Sequence, residues 1–164
     1  MAFGRALDGV VRVEPVSDWR LVRDIRLRAL QSDARAFDGD LGEEAARHDA
    51  YWRSATTVTT WVAAFIGELA VGIARAVGEH GRRHVESVWV DPHFRRRGVA
   101  SRMMRELARL ERERGERQLR IWVLDGNDGG RAFYDALGFV PTGERKPLPS
   151  NPARTEERMH LRLG

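Results

Sequence analysis

The chain has 164 residues, 42% hydrophobic and 32% charged, the balance of one globular domain. It contains no cysteine, which excludes disulfides, thiolate catalysis and cysteine-bearing zinc sites. The formal charge of +4 is carried almost wholly by arginine, with Lys146 the sole lysine, and 24 acidic residues are interspersed among the basic ones, unlike the clustered footprint of a nucleic-acid binder. No apolar run approaches the roughly 18 residues of a membrane span. The expectation is a cytoplasmic protein with no nucleic-acid or membrane partner, residues 1–9 forming a loose leader and 10–164 one domain. The five histidines are scattered without ligand spacing, so no metal is expected.

Residues 10–13 alternate weakly and read as a first strand, ended by Pro15. Ser17 or Asp18 can cap a helix to about Leu30, with Trp19, Val22, Ile25 and Leu30 on or near one face. Residues 31–41 read as loop and 42–53 as a second short helix. Two strand-like runs, 57–66 and 69–77, flank Gly67-Glu68, a hairpin signal. After a polar turn, 85–90 is a strand stopped by Asp91-Pro92. Val99, Met103, Leu107 and Leu110 place a long amphipathic helix over about 98–114, with Gly115 at its C′ position. Residues 118–124 read as strand, 129–137 as helix, and Phe139 opens a strand. Residues 142–154, rich in proline, read as a long loop, and 159–163 as a closing strand. The order predicts a mixed α/β (α+β) domain, one central sheet covered by helices.

One junction predicts an anion site. A strand ends at Val90, a basic loop follows, and a long helix begins at Gly98. Unpaired N–H groups at a helix start, together with its dipole, attract anions. Gly98 permits close approach, Ala100 keeps the path clear, Ser101 offers a hydroxyl, and Arg95, Arg96 and Arg97 add forked donors suited to phosphate oxygens. A basic, solvated helix start with no ligand is the simpler alternative.

The stretch from Val90 to Ala100, with Arg95, Gly98 and Ala100 in the fixed positions of Arg/Gln-x-x-Gly-x-Gly/Ala, resembles the cofactor motif of the GCN5-related N-acetyltransferase (GNAT) superfamily. Asn127, then Phe133-Tyr134, then Leu137-Gly138-Phe139 resembles the same family's second signature. The resemblance implies a mixed, mostly antiparallel sheet of about six or seven strands with a splayed V opening, flanked by about four helices. It implies that backbone amides of Arg96, Arg97, Gly98, Val99, Ala100 and Ser101 hold the pyrophosphate of acetyl-CoA. The backbone of Val88, Trp89 and Val90 would pair with the pantetheine arm like a further strand. Asn127 would bond that arm, and Tyr134 would protonate the departing thiolate, since a phenol keeps its proton at neutral pH. A homodimer is a further family analogy.

Glu86 is the candidate base, on the strand with the same parity as Val88 and Val90. A solvated glutamate or an ion pair with Arg82 or Arg83 is the alternative. The position five residues before Asn127, where some members of the family carry a glutamate, is Trp122. Trp89 and Trp122 either shape an apolar slot or pack in the core. Gly129-Gly130 predicts a loose start to the helix that bears Tyr134. Arg28, Phe37, Trp52, Arg145 and residues 146–154 are candidates for acceptor selection, the arginines for an acceptor carboxylate. The function expected is transfer of an acetyl group to a primary amine of a small molecule or peptide through a ternary complex. The alternatives are a non-catalytic acyl-CoA sensor and a protein N-terminal acetyltransferase.

Overall fold

A computed structural model describes residues 10–34, 37 and 39–164; the expected leader, 1–9, lies outside the described residues. In chain order the elements are β1 (Arg12–Pro15), α1 (Trp19–Ser32), α2 (Leu41–Ala45), α3 (Asp49–Val58), β2 (Thr60–Ile66), β3 (Leu69–Val77), β4 (His84–Val90), α4 (Val99–Glu113), β5 (Gln118–Leu124), α5 (Asp128–Ala136), β6 (Val140–Leu148) and β7 (Asn151–Arg162). The strands form one seven-stranded sheet in the order β1-β2-β3-β4-β5-β7-β6. Every pairing is antiparallel except β4 with β5.

Both faces of the sheet are covered, which is why β2 is buried throughout. Its even residues, Val62, Ala64 and Ile66, pack with Met103, Leu107 and Phe139 on the side of α4 and α5. Its odd residues, Trp61, Ala63 and Phe65, pack with Val22, Ile25 and Ala29 of α1. The alternation of strand side chains thus sorts the core into two layers. Asp18 caps α1, its carboxylate accepting from the Arg20 amide at 3.0 Å. The end of α4 is closed by amides of Gly115 and Glu116 on the Arg112 and Glu111 carbonyls, with Gly115 at C′ as expected.

Two expectations are corrected. Residues 42–53 are not one helix: α2 ends at Ala45 and α3 begins at Asp49. Residues 142–154 are not a loop: they belong to the β6–β7 hairpin, which turns at Pro149 and Ser150. β6 is the sheet edge and nearly all of it is solvent-exposed, so it carries no apolar alternation, and its prolines are tolerated where no outer strand needs their N–H. The residues around Pro141 and Pro147 are also where its register with β7 shifts.

The feature that positions the site is the β4–β5 seam. Only His84 and Arg120 pair across it, so the strands diverge beyond that point and open a V toward the end of β4.

Candidate active site

Strand β4 carries a bulge. Its register against β3 slips between Ile73 and Arg75, and Ser87 adopts a left-handed conformation with φ of 57°. Its hydroxyl accepts from Arg26 Nη1 at 3.3 Å. Arg26 is buried and forked onto Glu44 of α2 at 2.9 and 2.8 Å. The bulge overturns the parity expected for Glu86. Val88 and Val90 pack toward α4, but Glu86 lies on the α1 side, bonded to Arg75. The extra residue places Glu86 and Ser87 on one face, so counting by twos fails across it.

Glu86 accepts from Arg75 Nη2 at 2.6 Å and lies 2.9 Å from His84 Nε2. Neither Arg82 nor Arg83 is its partner. The His84 hydrogen bond, with the charges of Arg75 and His84, holds the Glu86 carboxyl at about 2, against the opposing effect of burial. Glu86 is therefore an anion at neutral pH and by itself a weak proton acceptor. His84 and Arg75 were missed in the sequence because both contacts depend on strand pairing and on the bulge.

The loop after β4 is firmly anchored. The Asp91 amide donates to the Val71 carbonyl at 2.8 Å, and Phe94 is buried in the α4 layer. Arg95 serves as a tie: Nε donates to the Val90 carbonyl at 2.9 Å and the guanidinium meets Asp33, at the C-cap of α1. Asp33 and Ser32 also accept from the Trp89 indole N–H, at 3.1 and 3.0 Å, which fixes the Trp89 side chain in the α1 core layer. Arg96 and Arg97 remain exposed. Arg96 is left-handed with φ of 61°. Among the described residues, Ser87 and Arg96 are the only non-glycine residues with positive φ. Each such residue costs roughly 1–3 kcal/mol, and strain of this kind gathers where function holds it in place.

Gly98 is the N-cap of α4, left-handed with φ of 74°, and no side chain caps the helix. The Arg102 amide returns to the Gly98 carbonyl at 3.1 Å, the first turn of α4. The amides of Val99, Ala100 and Ser101 precede it and are the unpaired donors of a helix start. A Cβ built on Gly98 would meet nothing within 4 Å, so the space before these amides is open. An uncapped helix start, two exposed arginines and an open cradle fit a pyrophosphate.

Across the V, Asn127 caps α5, its Oδ1 accepting from the Gly130 amide at 3.0 Å and leaving its amide N–H groups to donate elsewhere. Gly130 is required here: a Cβ would lie 2.4 Å from Asn127 Nδ2. The glycine pair therefore accommodates the cap at the first turn. Tyr134 is buried, edge-on to Phe133 and Phe139, and burial raises its pKa, so it keeps its proton.

Most of the residues expected to select an acceptor are occupied. Arg28 donates to the Ala70 carbonyl at 2.9 Å and pairs with Asp91 at 3.2 Å, so it braces the end of β4. Arg145 is bound to Asp125. Trp52 is 2% exposed and belongs to the interior. Phe37 packs beneath Arg26, whose guanidinium lies 5.0 Å from the ring. Arg154 is exposed on β7. Trp122 faces Arg158 across the β5–β7 pairing, with Lys146 4.2 Å from its ring. Among the described residues, no group of three or more His, Asp or Glu has the placement of a metal site, and no helix is long and apolar enough to cross a membrane.

The family model described as "Acetyltransferase (GNAT) family" matches residues 24–139, which include both motifs. A thialysine N-epsilon-acetyltransferase of Caenorhabditis elegans is 36% identical over 84 residues, covering 47% of this chain and 51% of that protein. The chain thus matches about half the length of this curated relative. An acetyltransferase of the GNAT family from Streptococcus pneumoniae superposes with a TM-score of 0.76 at 13% identity, over 94% of this chain and 100% of that one. The structure of yncA from Salmonella typhimurium, solved with its cofactor acetyl-CoA, gives 0.72 at 14% identity over 95% of each chain.

Proposed function

The chain belongs to the acetyltransferase (GNAT) family, and we propose that it is an acetyl-CoA-dependent N-acetyltransferase that acetylates a primary amine by direct transfer. The observation that carries this reading is the uncapped start of α4 at Gly98, placed where β4 has left β5. The relative named for thialysine N-epsilon acetylation supports an amine as acceptor. In this reading residues 10–164 form the catalytic domain, which acts in the cytoplasm.

Acetyl-CoA supplies a thioester carbonyl activated toward amines. The amides of Val99, Ala100 and Ser101 hold its pyrophosphate, with Arg96 and Arg97 adding charge from the exposed side. The backbone of Val88, Trp89 and Val90, free of β5, pairs with the pantetheine arm, and Asn127 donates to it. This fixes the thioester against the bulge and converts a bimolecular encounter into a positioned attack. The new N–C bond forms as the C–S bond breaks. Tyr134 donates its proton to the departing thiolate. Burial raises the phenol pKa, and the same dry surroundings raise that of the thiolate, so the transfer stays matched. Glu86 attracts and orients the acceptor ammonium. The acceptor ammonium loses its proton to solvent before attack, and the proton released as the N–C bond forms replaces the one Tyr134 gives up.

The test is product analysis by mass spectrometry after incubation with acetyl-CoA and an amine mixture. Acetylated amine with no acetylated protein is expected. A burst of acetyl-protein before product would overturn direct transfer.

A further inference from the structure

A cavity of about 320 Å³ opens on the α1 side of the sheet, lined by Arg82, His84, Arg120, Trp122 and Arg158. It lies at the closed end of the V, since His84 and Arg120 form the single pair joining β4 to β5. Arg120 and Trp122 alternate with the core residues Leu119, Ile121 and Val123, which places them on the face that also bears Glu86. The cofactor cradle is at the open end. An extended arm running from α4 down the splayed strand brings its reactive end toward this cavity.

The lining contains three guanidiniums, one imidazole and no carboxylate. Among the described residues, neither Arg82 nor Arg120 has a carboxylate within ion-pair distance; Arg120 donates only to the Gly81 carbonyl, at 3.0 Å. Arg158 meets Glu144 at 2.5 Å, yet its Nε is buried with no partner. Unspent donors and uncompensated positive charge in a concave site call for an anion, and a guanidinium fork matches a carboxylate. The volume is at the small end for ligand sites. Of the nearby anions, Glu144 is taken up by Arg158, and Glu86 is bonded to both Arg75 and His84.

Resting on the N-acetyltransferase reading, we infer that the acceptor is an amine that also carries a carboxylate, an amino-acid-class substrate. Its carboxylate is held by Arg120 and Arg158, with Arg82 at the rim, and its amine lies beside His84, on the side toward Glu86. The guanidiniums lining the cavity then fix which end of the substrate enters first. Trp122 walls the same cavity. Acetylation removes the ammonium charge and so weakens the hold of Glu86 on the product.

The test compares a panel of amino acids with their carboxamides as acceptors, in the wild type and in Arg120→Gln and Arg158→Gln. Coenzyme A affinity is measured separately by calorimetry, and thermal unfolding confirms that the variants fold. The wild type is expected to favour the acid over its amide by tenfold or more in kcat/KM. Each variant should lose most of that preference through KM while binding coenzyme A as before. Added salt should raise KM for the acids and leave the amides little changed. Amides turned over as well as acids, or variants that keep the preference, would overturn the inference while leaving the acetyltransferase reading intact. A wild-type protein that binds no coenzyme A would bring down that reading itself.

Discussion

Replacing Gly98 by valine separates the backbone cradle from its arginines. Gly98 has φ of 74°, and an added Cβ meets nothing within 4 Å. The cost in the free protein is therefore conformational, without a clash. A non-glycine residue in that region costs roughly 1–2 kcal/mol, and a branched one sits at the upper end. In the complex the space is no longer open, because the branched side chain projects where the pyrophosphate approaches the amides of Val99, Ala100 and Ser101. A hydrogen bond to a charged acceptor contributes about 1.5–3 kcal/mol, and about 1.4 kcal/mol is a factor of ten in affinity. Loss of one such bond predicts a Kd for coenzyme A at least about tenfold higher. Gly143→Val is the control: φ there is 80°, the Cβ again meets nothing, and the residue lies on β6 away from the cradle. Denaturant unfolding should show a similar loss of about 1–2 kcal/mol in both variants, and calorimetry should show weaker coenzyme A binding only in Gly98→Val. Wild-type affinity in Gly98→Val would refute the cradle.

Tyr134→Phe should lower kcat by about 100-fold or more, the scale of a lost general acid, with little change in acetyl-CoA affinity; unchanged turnover removes the acid role. Gly130→Ala puts a Cβ 2.4 Å from Asn127 Nδ2 and should displace the cap, at a cost of about 1 kcal/mol, and weaken coenzyme A binding. Gly129→Ala meets open space and should be neutral or slightly stabilising, so equal destabilisation of the two would contradict the cap argument. Glu86 is held near 2 in the folded chain against an ordinary 4.5. Between those values the unfolded chain takes up a proton that the folded chain refuses, so the Glu86 contribution is full above 4.5 and is lost as pH falls toward 2. The stability difference between wild type and Glu86→Gln, followed by denaturant titration, should shrink across that window; a constant gap would show that the His84 and Arg75 contacts do not hold the carboxylate.

What was legible in the sequence was what local chemistry decides. The strand stop at Asp91-Pro92, the glycine opening α4, the heptad-like apolar stripe of that helix and the Asn127 cap each follow from neighbouring residues, and each stands where expected. The β6–β7 hairpin was hidden because an edge strand exposed on both faces has no apolar alternation to read. The side of Glu86 was hidden because one bulge residue, Ser87, reverses the count along β4, and nothing in Glu86-Ser87-Val88 announces it. Arg28 and Arg95 carry the composition of ligand-binding residues, yet long-range contacts to Asp91, Asp33 and backbone carbonyls employ them as braces. Conversely, the cavity arginines Arg82, Arg120 and Arg158 come from the β3–β4 turn, β5 and β7, so only the folded sheet brings them together.

The most direct measurement is thiol release from acetyl-CoA by the purified protein across a panel of primary amines, with product mass determined in the same samples. The account predicts release that requires an amine, with one thiol formed for each acetylated amine and strong dependence on Tyr134 and Gly98. Release that proceeds equally without an amine, or coenzyme A binding with no acetylated product from any amine, would contradict it.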